Sequence, residues 1–81
     1  MTKGGIFSMR QSFYLFTLKY RGGQKEGKKA IFANSMFNHH DFPKAETSFD
    51  KVSLYIEELA DPDMPATVFD EIWEYYIEDS K

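Results

Sequence analysis

Residues 47–76, TSFDKVSLYIEELADPDMPATVFDEIWEYY, hold two apolar stripes at helical spacing on either side of one turn. Phe49, Val52, Tyr55, Ile56 and Leu59 follow Thr47 and Ser48, either of which can cap a helix by accepting from an unpaired backbone N–H. Leu54 lies off that stripe. DPDMP (61–65) reads as a turn, because proline lacks the N–H and crowds the preceding residues. Thr67 is the expected cap of the next helix. Val68, Phe69, Ile72, Trp73 and Tyr76 form its apolar face, and Asp70 and Glu71 are expected near its positive N-terminal end. Asp70, Glu71, Glu74 and Glu78 line the opposite side as an acidic ridge.

Upstream, SFYLFTLKYR (12–21) reads as one helix capped by Ser12 and closed by Gly22-Gly23. Phe13, Phe16, Thr17 and Tyr20 share one face and Tyr14 and Leu18 another, so most of its sides call for burial. QKEGKK is a polar connection to a second helix from about Lys28 to Asn38, with Phe32, Ala33, Met36 and Phe37 on its stripe. HHDFPKAE (39–46) is irregular, since Pro43 disfavours helix just before it, and Phe42 is expected to plug the core from that loop. With no convincing strand, the expected class is all-α: a small bundle of four helices plus a structured loop or short extra turn, over residues 10–81. Residues 1–9 (MTKGGIFSM) read as an extension of the domain, disordered or upstream of the native start. Lys3-Gly4-Gly5 can be encoded as a ribosome-binding sequence with Ile6-Phe7-Ser8 as spacer, so Met9 is the expected start.

At 81 residues the chain makes one small domain without cysteine, so neither disulfides nor thiolate-bound zinc can hold it together. Packing must do so, and aromatic side chains are 17% of the chain. No apolar run approaches the roughly 18 residues of a membrane span, and the N-terminal apolar stretch is too short for a signal peptide. A cytoplasmic location is therefore expected. The net charge of -3 divides unevenly. Residues 1–51 carry nine Lys/Arg against four acids, and residues 52–81 one Lys against nine acids. Such polarity bears on partners rather than on fold.

SFYLFTLKYR (12–21), FANSMF (32–37), Phe42-Pro43-Lys44, TSFDKVSLYIE (47–57) and VFDEIWEYY (68–76) together resemble the YozE family of Gram-positive bacteria and their mobile elements. The resemblance covers residues 10 to about 77 and rests on the order and spacing of the aromatic clusters. It implies a SAM-like helical bundle and carries over no catalytic residue. The chain departs from the family pattern in its longer N-terminus and in a glycine-lysine connection where relatives often have proline.

Site chemistry is sparse. His39-His40-Asp41 places ligand-type residues side by side, but neighbours point apart and no third ligand follows, so no metal site is expected. Asp61 and Asp63 lack the oxygen count and glycine of a calcium loop. With no P-loop, dinucleotide fingerprint or supported Ser-His-Asp spacing, we expect a non-enzyme without cofactor or metal. Two surfaces are candidates. Leu54, Glu71, Glu74, Tyr75, Ile77 and Glu78 combine apolar groups left over from the core with the acidic ridge, and suit a protein partner. Lys19, Tyr20, Arg21, Lys25, Lys28 and Lys29 could meet phosphates, weakly and with strong salt dependence. The expected function is a non-enzymatic accessory or adaptor domain that binds a larger protein, such as a DNA-processing enzyme of a mobile element. The alternatives are a small nucleic-acid-binding protein using residues 19–29, and a self-associating regulator in which basic and acidic faces meet.

Overall fold

Ser12 acts as the expected cap: its Oγ accepts from the Leu15 N–H at 3.2 Å, and helix α1 runs Phe13–Thr17. The structure is a computed structural model describing residues 11–22 and 27–80. The proposed extension 1–9 and Lys25 lie outside the described residues. The first helix differs from the single helix expected over 12–21. After Thr17 the chain tightens into a 3-10 turn, Leu18–Tyr20, a common way for a helix to end. Arg21 is already extended, and Gly22, at φ 77°, takes the left-handed conformation that reverses the chain.

Helix α2 spans Gly27–Asn38 and α3 spans Phe49–Leu59. Ser48 caps α3, accepting from Lys51 N–H, while the Glu46 carboxylate accepts from Ser48 N–H at 3.0 Å and fixes the approach. Ala60 closes α3 in the left-handed region at φ 51°, an unusual place for a residue with a Cβ. Helix α4, Ala66–Asp79, begins two residues before the start that a Thr67 cap implies. Pro65 is its N-cap, and the Pro65 carbonyl accepts from both Val68 and Phe69 N–H. Thr67 therefore lies inside the first turn rather than capping it, and Asp70 and Glu71 lie beyond the N-terminal turn. Proline is suited to a helix start because its fixed φ suits the entry and its missing N–H needs no partner there.

One aromatic cluster joins all four helices. Phe13, fully buried, meets Phe69 at 5.3 Å between ring centroids, Trp73 at 5.2 Å and Tyr76 at 5.7 Å. Phe32 of α2 closes the cluster at 6.4 Å. Val52 and Ile56 bring α3 onto it, and Phe42 fills the α2–α3 loop side as expected. Met64 is buried too, which the reading of 61–65 as a plain turn does not anticipate. Tyr76 is fully buried, and its hydroxyl donates to the Gln11 carbonyl at 2.7 Å, so its polar tip is satisfied. Among the described residues there is no strand, and no helix is long and apolar enough to cross a membrane.

Thr17 is the exception to this satisfied core. Its side chain is fully buried and Oγ1 has no hydrogen-bond partner among the described residues. A buried hydroxyl without a partner carries a desolvation penalty of about 1–3 kcal/mol. Thr17→Val keeps the branched shape and removes the penalty. Urea unfolding should show it more stable than the native chain by about 1 kcal/mol.

Candidate docking surface on the last helix

The period of α4 sorts its fourteen residues sharply. Val68, Phe69, Ile72 and Tyr76 are buried, whereas Asp70, Glu71, Glu74, Glu78 and Asp79 are exposed. Between these faces lie the margins. Tyr75 is 48% exposed on one, and Trp73 and Ile77 are half-buried on the other. Trp73, Glu74, Tyr75, Ile77 and Glu78 together line one shallow hollow of about 340 Å³. Its apolar part is the overflow of the core, and its acidic part is the ridge. Four of the six residues expected to serve a protein partner therefore meet in one place. Glu71 sits one turn up from Tyr75, toward the start of the helix. Leu54, 55% exposed, is on α3 and does not line the hollow.

A cation already engages this face. Lys29 of α2 lies 3.5 Å from a Glu71 carboxylate oxygen and 5.3 Å from the centre of the Tyr75 ring. At an exposed pair the Coulomb gain is small, typically below about 1 kcal/mol, so a competitor can displace it at little cost. The contact places an ammonium group beside a carboxylate and an aromatic ring.

The basic residues expected to form a second surface have different partners in the structure. Lys19 lies over the Phe16 ring at 4.1 Å and 5.6 Å from the centre of the Tyr20 ring. Arg21 stacks on Phe37 at 3.7 Å and donates to the Asn34 side chain at 3.2 Å, which is why Phe37 stays 43% exposed rather than joining the α2 stripe. Lys28 borders a separate groove of about 260 Å³ with Ile31, Pro62, Pro65 and Val68. Lys29 turns to the acidic helix. Lys25 lies outside the described residues.

The histidine pair divides in the same way. His40 is exposed, while His39 Nε2 lies 2.8 Å from Asp61 Oδ2. Ser35 Oγ donates to that oxygen at 2.5 Å, and Asp63 N–H donates to Asp61 Oδ1 at 2.9 Å. The three donors, His39 foremost, hold the Asp61 carboxyl down at about 2. Asp61 thus clasps α2 to the α3–α4 turn. The arrangement is not that of a nucleophile and base, because the carboxylate stands between serine and histidine. Ser35 and His39 are four residues apart, a helical spacing that was the available signal. On the neighbouring loop Tyr55 OH donates to Asp41 at 2.8 Å; burial, and then that bond, push the phenol up to about 12. No group of three or more potential metal ligands occurs among the described residues.

Comparison with known proteins places this geometry in context. The family described as YozE SAM-like fold matches residues 12–78. A UPF0346 protein of Bacillus licheniformis is 41% identical over 71 residues, covering 88% of this chain and 97% of the relative. One from Limosilactobacillus reuteri is 41% identical over 70 residues, 86% of this chain and 96% of its own. One from Streptococcus suis is 39% identical over 69 residues, with 85% and 97% covered. No solved structure matches the chain.

Proposed function

The chain belongs to the YozE SAM-like family, and from that footing we propose that it is a non-enzymatic accessory domain that docks on a larger protein through the outer face of α4. The observation that carries the reading is the hollow lined by Trp73, Glu74, Tyr75, Ile77 and Glu78. Apolar groups at its floor offer area to bury, and the acidic rim sets the sign of what can be buried there. The complementary partner presents a basic segment with one or two apolar side chains. Residues 52–80 contain nine acids and no Lys or Arg, so the attraction extends over the whole C-terminal half. Proteins that process DNA carry such basic surfaces because they bind phosphate, which makes a DNA-processing enzyme a fitting partner. The seat of Lys29 against Glu71 and Tyr75 supports the reading from within the chain.

A photo-crosslinking amino acid at Ile77, compared with one at Leu54, tests this in the host cell. The expected result is an adduct from Ile77 to one other protein, within a Lys/Arg-rich segment, and none from Leu54. Adducts from Leu54 but not Ile77 would move the interface to α3. Adducts to nucleic acid would favour the binder that uses residues 19–29.

A further inference from the structure

The hollow on α4 has two aromatic walls, Tyr75 and Trp73, and they differ. Tyr75 already carries a cation of the chain, the Lys29 ammonium 5.3 Å from its ring centre. Trp73 carries none: the cation–ring contacts among the described residues go to Phe16, Tyr20, Phe37, Tyr75 and Tyr14. Yet indole is the strongest cation–π acceptor among the aromatic side chains. The ring is firmly held. It stacks on Phe13 at 5.2 Å with 26° between planes, and Phe49 meets it at 75° and 5.2 Å. Little side-chain freedom is therefore left for a ligand to remove. The half-buried indole opens to the hollow, where Glu74 lines the wall beside it. Asp70, exposed and three residues earlier, is its neighbour on the helix surface. Neither carboxylate has an ion-pair partner among the described residues. Residues 52–80 hold no Lys or Arg, so α4 supplies no cation of its own.

We propose that the Trp73 wall of the hollow is an arginine seat, where a guanidinium of the docking partner's basic segment lies against the indole and donates to Glu74 or Asp70. The inference rests on the docking role of α4 and adds the side chain that this face selects. Arginine suits the seat better than lysine. Its planar, weakly hydrated head stacks on a ring while its fork of N–H groups meets a carboxylate, whereas an ammonium must shed tightly held water to reach either. Arg21 adopts the same pose within this chain, stacked on Phe37 at 3.7 Å while donating to Asn34. Ile77, four residues beyond Trp73 and in the same hollow, offers apolar area for the stem of the incoming arginine.

Trp73 is the only tryptophan of the chain, so its indole N–H signal reports this wall alone. The probes are capped pentapeptides, Gly-Leu-Arg-Leu-Gly and its counterparts with lysine or citrulline at the centre, titrated into the full chain at low salt. Citrulline keeps the shape of arginine without the charge. The arginine peptide should shift the indole signal and bind about fivefold more tightly than the lysine peptide, with little response to citrulline. Asp70→Asn/Glu74→Gln should weaken the arginine peptide about fivefold with an unchanged thermal melt, since both residues are exposed. Equal affinity for the three peptides would overturn the proposal, as would an unmoved indole or an affinity unchanged in the double variant. An arginine peptide that moves Tyr75 and leaves the indole still would overturn it in favour of the place now held by Lys29. The host adduct at Ile77 is scored separately. An adduct there without arginine preference at Trp73 would overturn this proposal and leave the docking role standing. Arginine preference without an adduct would support the seat and count against docking.

Discussion

Phe13→Ala is expected to leave the domain largely unfolded at physiological temperature. Phe13 is the ring on which three helices converge, in contact with Phe32 of α2 and with Phe69, Trp73 and Tyr76 of α4. Truncating a fully buried phenylalanine costs about 3–5 kcal/mol, through lost transfer energy and the cavity left behind. A chain of this length has a total stability of only about 4–12 kcal/mol. The loss is a large part of the whole. Loss of the cooperative melt followed by circular dichroism checks it. Phe13→Leu, which refills much of the space, should retain a cooperative melt.

Asp61→Ala ranks second, with an expected cost of about 2–3 kcal/mol, since it removes the acceptor of charge-assisted bonds and strands Ser35 on α2 and His39 just beyond its end. Acid should act in the same direction. The folded-state carboxyl sits at about 2, below its ordinary value of 3.8, so folding favours the ionised form. That contribution is complete above about pH 4 and is lost as the pH falls toward about 2. Asp61→Asn has no charge to lose. Urea unfolding at about pH 5 should therefore separate it from the native chain, and the gap should shrink at about pH 2.5. A gap that stays constant across that range would show that the clasp does not depend on the charge of Asp61.

The helices are legible in the sequence because their causes are local. Ser12 and Ser48 cap as their chemistry requires, and the spacing of Val52 with Ile56 and of Phe69 with Ile72 and Tyr76 names the faces that turn inward. Phe42 is legible as well, being an aromatic residue stranded in a proline-bearing loop. What escapes the sequence depends on distant partners. Phe49 belongs to the α3 stripe yet is 41% exposed, because it packs on the outer edge of Phe69 and Trp73 at the rim of the core. Phe37 is held at the surface by Arg21, sixteen positions earlier. Met64 is buried in the core cluster from a turn whose Asp61 is bonded to Ser35 of α2. For the proposed docking surface, the acidic ridge and the apolar margins are readable from the helical period. That Leu54 does not line their hollow, and the draw of Lys29 to Glu71, required the packing of the helices.

The most direct test of the docking role of α4 compares the native chain with Glu74→Lys/Glu78→Lys as baits in the host, both with nuclease present. Both residues are exposed and outside the core, so the two proteins should melt alike. The account predicts that the native bait retains one protein in stoichiometric amount and that the charge-reversed bait loses it. Retention of the same protein by both baits would contradict it, as would a native bait that retains nothing once nucleic acid is destroyed.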